Sequence, residues 1–263
     1  MKKQSKLYLG TNTKMYKTIR QTEEFLTALR DLTSDIPREQ LELFVIPSFT
    51  TLFHARQCVT PGQIHLGAQN MGWEDEGQFS GEISPLMLKE VGTEIVMIGH
   101  SERRHVLLET DDMENKKVLC ALRHGFTPLL CIGETGEEKA LGLSDEVLRT
   151  QIKVGLQGVT PQQAEKVWIA YEPVWAIGVS GTPATKEYAE EKHGVIRACV
   201  QELFGEETGA RIPLLYGGSV NPQNAPGLIQ MENIDGLFIG RSAWQADNFN
   251  AILRDVLPLW QCK

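Results

Sequence analysis

Apolar residues along this chain occur in two spacings that take turns. Short, largely apolar runs at residues 7–12, 41–47, 64–70, 94–100, 127–133, 167–171, 211–219 and 236–241 read as strands. Between them the spacing lengthens to that of a helix. Residues 18–32 place Phe25, Leu26, Leu29 and Leu32 on one face. Further helical segments are expected at 51–58, 85–91 and 111–124, the last ended by Gly125, and within 137–156. The sixth strand is followed by a helix running to Phe204, and the last helices lie at 221–229 and 247–257. Strand followed by helix, eight times over, implies parallel strands, and eight such units close as an α/β fold of the (β/α)8 barrel type. No low-complexity linker interrupts the pattern, so residues 1–263 are expected to form one barrel domain. A doubly wound open sheet would need a glycine-rich loop after the first strand, and Gly10-Thr11-Asn12-Thr13-Lys14-Met15 does not supply one.

Composition narrows the partners. The chain has 263 residues, 41% hydrophobic and 23% charged, which is ordinary for a globular protein. A formal charge of −8 excludes a broad basic face, so nucleic acid is not expected as a partner. The five cysteines, Cys58, Cys120, Cys131, Cys199 and Cys262, are odd in number and widely spaced. Free thiols in a reducing compartment fit them better than a disulfide framework. Residues 1–6 are polar with no apolar stretch behind them, and no run approaches a membrane span. A cytoplasmic location is expected. With no HxH, HExxH or CxxC spacing, neither a metal nor another cofactor is expected.

In a barrel, function belongs at the C-terminal ends of the strands. Asn12, Lys14, Gln69, Asn70, His100, Glu134, Glu172, Ser219, Gly240 and Arg241 stand at those ends. Glu172 closes the apolar run 167–171, Pro173 stops the strand, and Gly178, Val179, Ser180, Gly181 and Thr182 form a polar stretch able to close as a lid. A carboxylate between a dry strand and a closing loop suits a general base, because closure strips it of water. Taken singly it reads more simply as an exposed strand-end glutamate, and a lone strand-end histidine is more often structural than catalytic. The convergence of polar groups on one rim favours acid–base chemistry on a small anion instead. Gly178, the Gly217-Gly218-Ser219 turn and Gly240 offer backbone N–H groups to a phosphate. Ser101 is placed to cap a short helix whose N-terminus favours a neutral His100. Lys14, just past the first strand, supplies a counter-charge. Cys131, flanked by apolar residues, reads as a packed thiol, Trp175 and Tyr216 as scaffold or lid latch, and Met15 and Trp73 as packing.

Four segments in order, IGHSERR at 98–104, LCIGE at 130–134, AYEPVWAIG at 170–178 and YGGSVN at 216–221, resemble the triosephosphate isomerase family. The resemblance implies an isomerase that interconverts dihydroxyacetone phosphate and glyceraldehyde 3-phosphate through an enediolate. It makes Glu172 the base, His100 a neutral electrophile, Lys14 and Asn12 substrate contacts, and Glu102 a supporting carboxylate. Gly178, Ser219 and Gly240 would hold the phosphate, with Arg241 beside them. It also implies a homodimer joined through the loop around Phe79. That loop, 69–84, is too long for a simple connection and carries Trp73 and Phe79, so Phe79 and Ser80 are expected near the partner's Asn12 and the partner's Lys14. Four differences from the family pattern bear on substrate and assembly. Thr13 replaces an aromatic, the lid GVSGTPAT is one residue longer and lacks its lysine, Ser80 replaces a threonine, and Arg241 replaces a glycine. A four-carbon ketose phosphate such as erythrulose phosphate is therefore an alternative substrate. A non-catalytic sugar-phosphate-binding barrel is the alternative of another class, and it has no use for both Glu172 and His100. The Arg241 side chain either turns inward, where its planar fork pairs with phosphate oxygens and makes up for the lysine missing from the lid, or turns to solvent, as long side chains at the eighth strand's end often do; the outward course is the one expected.

Overall fold

The computed structural model describes residues 4–178 and 181–263. The first half runs β1 (Leu7–Asn12), α1 (Ile19–Leu32), β2 (Leu41–Ile46), α2 (Leu52–Cys58), β3 (His65–Ala68), α3 (Pro85–Glu90), β4 (Ile95–Ile98), α4 (Ser101–His105) and α5 (Asp111–Arg123). Then come β5 (Thr127–Ile132), α6 (Gly136–Ala140), α7 (Ser144–Gly155), α8 (Pro161–Ala164) and β6 (Trp168–Tyr171). The chain ends with α9 (Lys186–Phe204), α10 (Glu206–Arg211), β7 (Leu214–Tyr216), α11 (Ala225–Ile229), β8 (Gly236–Ile239) and α12 (Ala246–Gln261). The strands pair in sequence order, all parallel, and β1 closes on β8 with Tyr8 opposite Gly236. This is the (β/α)8 barrel that the alternation implies.

Strand periodicity divides the core in two. Alternate residues, Phe44 and Ile46 on β2, Ile95 and Met97 on β4, Leu129 and Cys131 on β5, fill the barrel. Their neighbours, Leu43 and Val45, Val96 and Ile98, Leu130 and Ile132, pack outward under the helices. At the N-terminal mouth His65 bridges Glu42 (2.7 Å) and Glu94 (2.5 Å), and Lys6 meets Glu42 at 3.0 Å. Hydrogen bonds to Glu42 and then Glu94 raise the imidazole to about 9, so it stays charged at neutral pH and ties three strands together. Asp235, just before β8, accepts from Arg197 of α9 (2.5 Å) and from the Leu214 N–H (2.9 Å).

Several expected bounds are corrected. The seventh strand is only Leu214–Tyr216, because α10 holds the chain as far as Arg211 and a turn follows Tyr216. The region 137–156 resolves into α6 and α7. The one-turn helices α4, α8 and α10 are too short for apolar periodicity to reveal, although Thr160 and Gln163 around Pro161 form a capping box at α8. Among the described residues, no helix is long and apolar enough to cross a membrane.

Candidate active site

Glu172 follows β6 and is 3% exposed. Its N–H bonds Ile132 O at 2.7 Å, which continues the β5–β6 ladder one residue beyond the strand. Two glycines make room for it. A Cβ on Gly133 would lie 2.0 Å from Glu172 O, and one on Gly217 2.8 Å from Glu172 Cγ. The side chain therefore lies in space that only a missing Cβ leaves open. Its Oε2 accepts the Ser101 N–H at 3.4 Å, and its Oε1 stands 3.6 Å from His100 Nε2. Beneath it Cys131 is wholly buried, and burial, with the Glu172 charge second, pushes its thiol well up. It is packing, as its apolar neighbours imply.

His100, not Ser101, caps α4. Its backbone is non-helical (φ −52°, ψ 142°), and its Nδ1 accepts the Glu102 N–H at 3.3 Å, doing at the helix start what a serine oxygen does. An Nδ1 that accepts leaves the ring proton on Nε2, the atom facing Glu172. Behind the ring, Arg104 fixes the end of β4 against β5 by donating to Gly99 O (2.8 Å) and Cys131 O (3.0 Å). The same guanidinium contacts Asp111 and Glu114, and burial pushes Glu114 up to about 8.

Lys14 has a left-handed backbone (φ 52°), uncommon outside glycine and held here by its surroundings. Asn12 Oδ1 accepts the Lys14 N–H at 2.7 Å and Gln69 Nε2 at 3.1 Å. Lys14 O accepts from Gln69 Nε2 (2.7 Å) and Ser48 Oγ (2.9 Å). The ammonium reaches Glu102 Oε1 at 2.7 Å, while Glu102 Oε2 lies 3.5 Å from His100 Nδ1. Glu102 thus joins the two through different groups, its carboxylate on the Lys14 ammonium and its N–H on His100 Nδ1. Sequence reasoning missed Ser48 and the Ser101 N–H, neither of which carries a local signal.

Other rim residues divide. Glu134 is buried away from this group, accepting from Tyr171 Oη (3.0 Å), Trp175 Nε1 (2.8 Å) and Tyr188 Oη (2.8 Å), so it fixes the chain on both sides of the expected lid. Asn70 accepts from Lys117, which also contacts Glu109, and stands outside the site. Gly178 is exposed at φ 92°, while Val179 and Ser180 of the expected lid lie outside the described residues. Gly217 cannot serve a phosphate as expected, since its N–H is spent on Tyr171 O at 2.8 Å. Gly218 and Ser219 remain as that turn's candidates. Ser219 and Gly240 are half-buried, after the neighbouring strands β7 and β8, and Arg241 is exposed, in keeping with a side chain turned to solvent. The loop 69–84 packs partly on itself, with the Trp73 and Phe79 rings 6.0 Å apart over a cavity of about 510 Å³. Its Asp75 meets His124 (2.7 Å) near Cys120, and these three form the group of metal-ligand type that fold proximity assembles among the described residues. The Arg123 guanidinium sits on both Asp75 and Cys120 and already supplies the positive charge.

A buried carboxylate facing an imidazole N–H, with an ammonium nearby, can take a proton from carbon while the N–H and ammonium hold the oxyanion that forms. The model of the family Triosephosphate isomerase matches residues 7–256. An L-erythrulose-1-phosphate isomerase of Rhizobium etli is 46% identical over 252 residues, spanning 95% of this chain and 92% of its own. A triosephosphate isomerase of Dictyoglomus turgidum is 43% identical over 246 residues (94% and 98%), and an L-erythrulose-1-phosphate isomerase of Brucella abortus is 43% identical over 251 (95% and 96%). With a family match across nearly the whole barrel and relatives at this identity that bear isomerase names, the chain belongs to the triosephosphate isomerase family and is an isomerase.

Proposed function

We propose that this barrel, acting as one domain, moves a proton between adjacent carbons of a phosphorylated four-carbon ketose. The observation that carries the reaction is the buried pair Glu172 and His100, facing each other at 3.6 Å with Lys14 tied in through Glu102. Dihydroxyacetone phosphate and L-erythrulose 1-phosphate share one reacting unit, a phosphorylated CH2 beside a carbonyl beside a carbinol carbon. They differ only in whether that carbinol carbon bears H or CH2OH. Glu172 takes the proton from the carbinol carbon, and the electron pair moves onto the carbonyl oxygen as an enediolate. His100 Nε2–H and Lys14 stabilise that oxygen, and His100 relays a proton between the two oxygens. Glu172 then returns its proton to the former carbonyl carbon. With the four-carbon substrate the product is again a ketose, phosphorylated at the other end. General-base catalysis of this kind contributes roughly 10²–10⁴-fold. Gly178, Ser219 and Gly240 bind the phosphate, and closure of the segment after Gly178 excludes water, which prevents the enediolate from expelling phosphate.

The four-carbon reading is supported by the L-erythrulose-1-phosphate isomerases among the relatives and by Thr13, which stands where the family pattern has a larger aromatic. The extra CH2OH sits on the side away from the phosphate, so Arg241 is not the source of its space. The triose reading is the second, supported by the triosephosphate isomerase relatives. Two copies of the chain form the working unit, docked through the loop that carries Phe79, and five free cysteines suit the cytoplasm. The test is kcat/KM for L-erythrulose 1-phosphate and for dihydroxyacetone phosphate. A tenfold or larger preference for the tetrulose, ~1.4 kcal/mol of transition-state discrimination, is expected. The opposite preference hands the chain to the triose reaction, and turnover of neither leaves only a binding barrel.

A further inference from the structure

Trp244 stands just after the single 3-10 turn Arg241–Ala243 that follows β8, with its N–H on Arg241 O at 3.2 Å. Its indole Nε1–H crosses to the other end of the chain and donates to Asn12 O at 2.9 Å. Its ring packs against Tyr16 with centroids 4.6 Å apart. The indole therefore grips the loop after β1 on both sides of Lys14. Asn12 is the residue whose side chain receives the Lys14 N–H, and Lys14 is the one whose backbone must be kept left-handed. Gln69 and Ser48 hold that turn from the β2 and β3 side. Trp244 holds it from the β8 side, and it does so from the end of the turn that begins at Gly240, where Ala243 N–H bonds Gly240 O at 3.0 Å.

We infer that Trp244 is a positioning residue for Lys14, setting the ammonium through the Asn12 carbonyl and joining it to the phosphate-binding turn after β8. This rests on the roles of Lys14 and Gly240 proposed above. A tryptophan that merely filled space would affect stability and every ligand alike. One that aims Lys14 affects only ligands that carry charge where the enediolate forms.

The probes are 2-phosphoglycolate, whose carboxylate places negative charge there, and inorganic phosphate, which does not. Binding is measured by calorimetry for wild type, Trp244→Phe, Lys14→Met and the double variant. Phenylalanine keeps a ring and removes the N–H. Loss of one positioning hydrogen bond is expected to weaken 2-phosphoglycolate about three- to tenfold when Lys14 is present. The same change should do nothing in the Lys14→Met background, and it should leave inorganic phosphate within about twofold. In turnover, Trp244→Phe is expected to lower kcat with little change in KM. Equal losses in both lysine backgrounds, or an equal loss for inorganic phosphate, overturn the role of Trp244 while leaving the proposed reaction intact. Coupling between Trp244 and Lys14 in a protein that isomerises neither ketose phosphate keeps the positioning role and sinks the reaction. Failure of the wild type to bind 2-phosphoglycolate more tightly than inorganic phosphate overturns both.

Discussion

Glu172 owes its orientation to residues that carry no chemistry. Gly217 leaves only 2.8 Å between a would-be Cβ and Glu172 Cγ, so Gly217→Ala must push the carboxylate aside. Displacing a base by about 1 Å costs on the order of 10²-fold in rate. That variant should lose ten- to a hundredfold in kcat, on this scale, with its melting temperature little changed, and wild-type turnover would show that Glu172 has freedom the packing denies it. Glu172, His100 and Lys14 were legible because each lies at or just beyond a strand end in a barrel pattern. Side-chain direction was not. Asn70 and Glu134 share the same rim position, yet one turns to Lys117 and the other into an aromatic cage. The cap of α4 was misassigned to Ser101 because serine is the commoner cap, while the imidazole Nδ1 of His100 has equal reach. Trp244 lies 232 residues from Asn12, and no local pattern announces their contact.

At the level of elements, Glu134 ties β5, β6, the one-turn helix Val174–Ala176 and α9 together ahead of the segment proposed as a lid. Lys139 covers the same cage, 3.3 Å from the Trp175 ring centroid. Three donors converge on this one carboxylate, and a neutral amide serves them less well. Glu134→Gln is expected to cost about 1–3 kcal/mol in denaturant unfolding and to lower kcat by loosening the lid base. An unchanged denaturation midpoint would contradict that tie. Long amphipathic helices such as α1 and β-runs such as β1 were readable, since burial imposes their period directly. The bounds of β7 were not, because buried Ile212 lies directly ahead of it and lengthens the apolar run beyond the residues that pair.

On the scale of the molecule, the eight-fold alternation fixed barrel closure, and the residues that bind its ends together are charged ones that no hydropathy pattern shows, His65 between Glu42 and Glu94 among them. The proposed assembly would cover apolar side chains that stand exposed after β1, β3 and β4: Phe79 at 46%, Leu108 at 75% and Met15 at 95%, the last expected as packing but not packed within the barrel. An isolated barrel would gain nothing from such exposure, and burying it between two copies stabilises both. Sedimentation at micromolar concentration should give a dimer that Phe79→Asp weakens, whereas a fully active monomer would contradict the shared interface. The proposed role of Glu172, carrying the proton between the two carbons, is tested by isomerising the preferred ketose phosphate in D2O with wild type and Glu172→Gln. The wild type should place solvent deuterium on the former carbonyl carbon of the product, and the variant, unable to accept a proton, should turn over at least 10²-fold more slowly while binding inorganic phosphate as before. Deuterium incorporation at the wild-type rate by Glu172→Gln would contradict the account.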